Sequence, residues 1–343
     1  MGRTAVVWDE RYLNHDTGPW HPERPARLTA IREVLDKPEL QKRLTFLEPR
    51  FATLEEIAMV HDFEYVKKLE KTAGLEVQLD PDTTTSAGTW DAARLAVGGL
   101  LHCVDWVFET SPQPSPLQGE GVEFPLLTKE GARGRSGRNA FAFVRPPGHH
   151  AERERAMGFC LFNNVAIAAE YAIRRKNAQR VAIMDYDVHH GNGTQRAFYD
   201  RSDVLYISTH RYPFYPGTGA RKEEGQGKGK GFTLNIPFAG GEGDHEYLMA
   251  FEQEVLPALR DYAPDLLLVS AGYDAHRLDP LGGMNVTGAG FAQMTGSLRD
   301  VAEKVCGGRM VLVLEGGYSL EGLGESVEKC LEVMVPTSSL APD

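Results

Sequence analysis

Five short apolar runs, each ending in a polar turn, predict an α/β fold in which a central parallel sheet carries helices on both faces. The runs occupy residues 141–144, 181–184, 204–207, 266–269 and 311–314, and continuous apolar stretches of this length suit strands buried on both faces. Helical periodicity fills most of the gaps, at 161–175, 244–262, 287–305 and 320–334. Strands alternating with helices imply right-handed crossovers, and in such sheets ligands bind beyond the carboxyl ends of the strands. The polar turns sit at those ends, which predicts one site fed by five loops.

Earlier elements follow the same logic. Residues 4–8 read as an opening strand, and Pro22 and Pro25 precede a helical pattern over 27–35, an entrance where proline's missing N–H costs nothing. His15 and His21 lie in the polar loop between them and read as solvent-facing or hydrogen-bonded side chains. Residues 54–72 are patterned as a helix, 79–83 as a turn containing Asp82, and 86–108 as a long packed helix. Asp82 reads as a turn residue, with a rim carboxylate as the alternative. From 109 to 139 the chain is rich in proline, glycine and serine with a basic end, so it reads as a surface insertion within a single domain spanning 1–343.

With 343 residues, 42% apolar and 25% charged, the chain has ordinary globular composition. It contains no apolar run of the roughly 18 residues a spanning helix needs, and its start lacks a signal-peptide pattern. The expectation is a soluble cytoplasmic protein with no membrane partner. A net charge of −11 disfavours nucleic acid. Cys103, Cys160, Cys306 and Cys330 are scattered without C-x-x-C spacing, which argues against a thiolate zinc site and a disulfide framework and reads as reduced cytoplasmic thiols.

The chemistry centres on the run from Val181 to Asn192. There a buried-strand pattern passes into Asp185, Asp187, His189, His190 and Gly191, and period-2 geometry lets Asp185, Asp187 and His189 share one side. Asp187, His189 and Asp274 offer two carboxylates and one imidazole, a set that suits Zn²⁺ with open positions, with Fe²⁺ or Co²⁺ as alternatives. His149 and His150 follow two prolines and offer a base near neutrality, and Asp185 and Asn192 are the candidates to orient them. Tyr318, after two glycines, can supply an oxyanion donor.

These residues resemble the zinc-dependent histone deacetylase and acetylpolyamine amidohydrolase superfamily, in particular its class II-like bacterial members. The resemblance is carried by His21-Pro22-Glu23-Arg24-Pro25, Arg145-Pro146-Pro147-Gly148-His149-His150-Ala151, Gly158-Phe159-Cys160, Asp185-Tyr186-Asp187-Val188-His189-His190-Gly191-Asn192, Asp274-Ala275-His276 and Leu314-Glu315-Gly316-Gly317-Tyr318. It implies an arginase-like single-domain fold, zinc on Asp187, His189 and Asp274, a catalytic pair at His149 and His150, and Tyr318 polarising the scissile amide. It further implies that Gly158, Phe159 and Tyr215 line an acyl-lysine tunnel, with phenylalanine the usual residue at the Tyr215 position. By the same resemblance Asp82 falls near a substrate-holding rim aspartate, and Arg27 at the tunnel's foot. Asp185, Asp187, His189 and Ser208 match a structural potassium site. Leu281 stands where polyamine-selective relatives carry a glutamate, which favours acetyl-lysine or a small acyl amide over an acetylpolyamine. A weaker alternative is a binuclear manganese hydrolase, and from another class a noncatalytic acyl-ligand sensor. The oligomeric state stays open, a homo-oligomer included.

Overall fold

A computed structural model describes residues 4–109 and 137–335. Most of the predicted insertion, positions 110–136, lies outside the described residues; its two ends meet where Arg138 pairs with Glu109 at 3.3 Å. Strand β1 (Thr4–Val7) is followed by α1 (Ala26–Leu35), α2 (Pro38–Gln41) and β2 (Leu44–Phe46). Two helices, α3 (Leu54–Ile57) and α4 (Phe63–Glu70), replace the single helix expected over 54–72. Asp62 interrupts them because its extended backbone donates its N–H to the Arg153 carbonyl at 3.0 Å, a tertiary bond that helical periodicity does not announce. A small antiparallel hairpin, β3 (Gln78–Asp80) and β4 (Thr83–Thr84), then leads into α5 (Thr89–Phe108).

The second half holds the expected β5 (Asn139–Ala142, two residues earlier than its apolar run), α6 (Asn164–Lys176), β6 (Val181–Asp185) and β7 (Val204–Arg211), and adds α7 (Asn192–Phe198) and β8 (Thr233–Phe238), which the periodicity did not announce. Helices α8 (Asp244–Ala250) and α9 (Leu256–Tyr262) are one helical stretch with a π-type turn over Phe251–Val255, beside Pro257, which has no N–H to donate. Strand β9 (Leu266–Ala271), helix α10 (Gly288–Cys306), strand β10 (Met310–Leu314) and helix α11 (Leu320–Met334) complete the chain.

Eight strands form one sheet in the order β2-β1-β5-β10-β9-β6-β7-β8, and every neighbouring pair is parallel. The two edge strands were not legible as apolar runs: β2 is three residues long, and β8 mixes Asn235 and Pro237 into its pattern, residues an edge tolerates. Strands β6, β9 and β10 are buried along their whole length. Each Val, Leu or Ile shielded in this way contributes about 1.5–3 kcal/mol of hydrophobic stabilisation. Helix α11 buries Leu323, Val327, Cys330, Leu331 and Met334, one face at helical spacing, and packs against α10 and α1; α5 packs against α6. Among the described residues no helix is long and apolar enough to cross a membrane.

Candidate active site and metal centre

The loops that carry the candidate residues leave four adjacent strands, β5, β10, β9 and β6, although β5 and β10 are far apart in sequence. Beyond β6 the chain folds back so that Asp187 and His189 meet Asp274 from the β9 loop. His189 Nδ1 lies 3.1 Å from Asp187 Oδ1 and 3.1 Å from Asp274 Oδ2, and one potential ligand atom of each residue lies within 4.8 Å of the others. Backbone donors fix both carboxylates: Gly316 N–H reaches Asp187 Oδ2 at 2.8 Å, and Val188 N–H reaches Asp274 Oδ1 at 2.9 Å. The approach is close enough that a Cβ on Gly272 would stand 2.1 Å from Asp187 Oδ2, and one on Gly316 2.1 Å from Asp274 Oδ2.

Burial, then the neighbouring Asp187 charge, pushes Asp274 up to about 7, while His149 and His189 overcome burial to hold Asp187 low. Burial opposes charge on His189, but its bonds to Asp187 and Asp274 outweigh it and raise the imidazole to about 10. Two buried carboxylates this close repel unless a cation or proton stands between them. An oxygen-nitrogen-oxygen donor set without thiolate therefore fits a zinc-like dication.

The two histidines of the β5 loop sit beside this group with ring centroids 4.0 Å apart. His149 Nδ1 lies 3.0 Å from Asp185 Oδ2, and His150 Nδ1 lies 2.8 Å from Asn192 Oδ1, which shares out the two candidate partners between the two rings. The environments of the two rings diverge. Burial works against a charged His149, but Asp185 and Asp187 outweigh it and raise it to about 10. His150 is pushed well below its ordinary value by burial, then by the charges of His149 and His189. Tyr318, partly buried, has its phenol raised well above the usual range by burial and by Asp274 and Asp187, so it keeps its proton. The Arg27 guanidinium lies 5.1 Å from its ring centre.

Several neighbours escaped the sequence reading. Glu315, wholly buried, accepts from the backbone of Gly148 at 2.7 Å and His149 at 3.2 Å, and takes Ser270 Oγ at 3.1 Å. Burial pushes its carboxyl up to about 7. Asp279 accepts from Leu281 and Gly282 through one oxygen and from Tyr318 and Ser319 through the other, joining the Leu281 loop to the Tyr318 turn. An ionisable residue directly after a buried strand, and an aspartate before proline in a glycine loop, were the signals available for them. Phe214 stacks on His189 at 5.3 Å, one residue before the aromatic that sequence singled out.

Beneath the turns, Glu23 joins Arg27 at 3.0 Å and Arg145 in a fully buried cluster, which also holds His15 with Nε2 3.5 Å from Glu23. Arg27 donates onward to the carbonyls of Gly317 and Glu315 at 2.6 and 2.5 Å, so it braces the turn carrying Tyr318. Of the two readings its loop position allowed, His15 takes the hydrogen-bonded one: it is buried, and its Nδ1 pairs with Thr89 at 2.8 Å.

Around the rim, Phe159 adopts φ +68, a left-handed conformation unusual for a bulky residue. It is held there by the β3–β4 hairpin: Thr83 Oγ1 accepts its N–H at 3.0 Å, and Asp82 Oδ1 accepts the Gly158 N–H at 3.2 Å. Gly158 has no room for a side chain, since a Cβ would stand 2.4 Å from the His150 ring. The Phe159 ring meets Tyr318 edge-on at 5.9 Å and His21 at 4.7 Å, while Tyr215 meets His150 edge-on at 5.1 Å. Leu281 and Tyr215 are each 37% exposed. Ser208, in register with Asp185 on the neighbouring strand, pairs with His210 Nδ1 at 2.9 Å.

This fold and site define a protein with a candidate metal centre at the carboxyl ends of a parallel α/β sheet. The family model described as histone deacetylase domain matches residues 21–334, and the chain belongs to the histone deacetylase family, hydrolases acting on acetyl amides. It is 40% identical to a probable deacetylase of Archaeoglobus fulgidus over 93% of this chain and 82% of that one. It is likewise 40% identical to histone deacetylase 10, chloroplastic, of Oryza sativa subsp. japonica, over 94% of this chain and 71% of that one. The crystal structure of the HDA15 HD domain superposes with a TM-score of 0.85 at 40% identity, covering 97% of this chain and 88% of that one.

Proposed function

We propose that the protein is a zinc-dependent deacetylase that hydrolyses an N-acetyl amide, most readily acetyl-lysine in a peptide or protein or a related small acyl amide. The observation that carries this reading is the buried Asp187, His189 and Asp274 group with two oriented imidazoles beside it. Zinc held by these three residues would supply Lewis-acid polarisation of the amide carbonyl and of water. His150, neutral and donating through Nδ1, has Nε2 to take the proton of the attacking water. His149 carries a proton on a ring held by Asp185 and can deliver one to the leaving amine. Tyr318 donates its phenolic hydrogen to the carbonyl oxygen as charge develops there. One water is consumed, and acetate and a free amine are released.

Phe159, Gly158 and Tyr215 would line the acyl-lysine channel. Asp82, committed in part to the Gly158 N–H, would stand at its rim. Leu281 offers no charge for a distant ammonium, which favours acyl-lysine over acetylpolyamine. Asp185 and Ser208, side by side in register, would contribute with Asp187 and His189 to a potassium site. Four buried, unpaired cysteines suit a reducing cytoplasm.

Acetyl-lysine peptides, acetylputrescine and acetylspermidine assayed with and without chelator test the reading, alongside metal analysis. Chelator-sensitive acetate release with about one zinc per chain is expected, and no release from any acyl amide would favour a ligand sensor. Tyr318→Phe should keep its zinc and lose about 10²–10³ in kcat; wild-type turnover would remove Tyr318 from the reaction.

A further inference from the structure

His149 and His150 face partners of different kinds. Asp185 can only accept, so His149 Nδ1 must donate to it. Asn192 carries both an acceptor and a donor, and nothing in an amide by itself says which end faces His150. A third residue supplies that information. Asn192 Nδ2 lies 3.0 Å from Glu152 Oε1, on a side chain only 14% exposed. This is the shortest contact of that nitrogen; Met157 Sδ at 3.4 Å and the His150 carbonyl at 3.5 Å are longer acceptors on the same side. A carboxylate has no proton to give, so the NH₂ end of Asn192 must turn to it. Oδ1 then faces His150, and His150 Nδ1 must carry the hydrogen of their 2.8 Å bond.

Glu152 is itself held. Its Oε2 lies 2.9 Å from Arg196 Nη1 and 3.3 Å from Arg155 Nη2, and its backbone N–H donates to the Arg155 carbonyl at 2.9 Å. A cavity of about 490 Å³ lined by Glu152, Asn192, Arg196 and Tyr199, among others, lies against this pair. Substitution at Glu152 therefore opens onto a solvated space instead of a packed core.

We propose that Glu152 is a positioning residue: by fixing the sense of the Asn192 amide it keeps His150 in the Nδ1–H form, with Nε2 left to accept a proton. The catalytic part of this inference rests on His150 acting as proposed above; the tautomer itself does not.

The test uses the zinc-loaded full chain labelled with ¹⁵N-histidine, with His150 assigned by comparison with His150→Gln. Long-range ¹H–¹⁵N spectra of the wild type should show a single Nδ1–H pattern. Glu152→Leu and the near-isosteric Glu152→Met should show a mixed pattern, with kcat lower by about 10-fold, KM within about twofold and melting temperature little changed. Glu152→Gln keeps the shape but has one acceptor oxygen, which Arg196 and Arg155 draw away from Asn192, so it should show the mixed pattern as well. An unchanged His150 pattern in the Leu and Met variants overturns the proposal whatever their rates. A changed pattern at wild-type kcat removes its link to catalysis. A wild type that hydrolyses no acyl amide would defeat the deacetylase reading instead, and the spectra would still decide the role of Glu152.

Discussion

On the floor of the site, Asp185, Asp187, Asp274 and Glu315 are buried to 1% exposure or less, and each accepts from at least one backbone N–H. At the rim, Tyr215 and Leu281 are each 37% exposed. The floor groups hang from the ends of adjacent strands, so their positions are as rigid as the sheet. Rim groups are placed by loops, with Phe159 propped by a two-stranded hairpin and Leu281 by the Asp279 carboxylate. The contrast teaches a division of labour: changes on the floor should abolish chemistry, and changes at the rim should redirect it.

The largest effect expected from this contrast is at Asp274. Asp274→Ala removes one of three candidate ligands and should leave the purified protein depleted of zinc by metal analysis. Loss of several kcal/mol of charge stabilisation corresponds to about 10³ or more in kcat/KM. Full zinc content in this variant would remove Asp274 from the metal site. At the rim, Leu281→Glu should leave zinc content intact and move the ratio of acetylspermidine to acetyl-lysine peptide hydrolysis by roughly fivefold towards the polyamine, about 1 kcal/mol for a partly exposed ion pair. An unchanged ratio would show that Leu281 does not face the substrate's distal end.

A third effect, on stability rather than on turnover, concerns what anchors the rim. His61 Nε2 accepts the Asn163 N–H at 2.8 Å and its Nδ1 pairs with the Arg153 carbonyl at 3.3 Å, pinning both ends of the loop that carries Phe159. Burial lowers this imidazole from 6.5 to about 4. The unfolded chain binds its proton first on acidification, so the stability tied to neutral His61 is complete above about pH 6.5 and falls away towards pH 4, by about 3 kcal/mol in all. Burial depresses His190 and His210 in the same sense. Urea unfolding across that window should show the decline, and His61→Asn should flatten part of it; an identical slope would mean that His61 is not neutral in the fold.

Local signals carried the sequence reading furthest. Helix α11 was expected over 320–334 and occupies Leu320–Met334, because its buried face repeats at 3.6 residues and Ser319 caps its start. The break between α3 and α4 was not legible, because it depends on a backbone bond to Arg153, 91 residues away. Strand alternation groups Asp185 with Asp187 and His189 on one side, while its place beside the metal candidates suits it to orient a histidine. In the fold it pairs with His149, while Asp187 and His189 turn to Asp274.

The sequence by itself determined an alternating α/β chain with carboxylates, imidazoles and a tyrosine at strand ends, because apolar runs and polar turns act over a few residues. Only the tertiary structure decided that β10 lies between β5 and β9, which brings Glu315 beneath the His149 turn from 166 residues away and Gly316 against Asp187. Strand order is settled by which crossovers bury the most surface together, a property of the whole chain. The distant donors that hold the acceptor-only carboxylates, Gly148 N–H on Glu315, Tyr318 N–H on Asp279 and the Asn192 amide on Glu152, reach them only once the chain is folded.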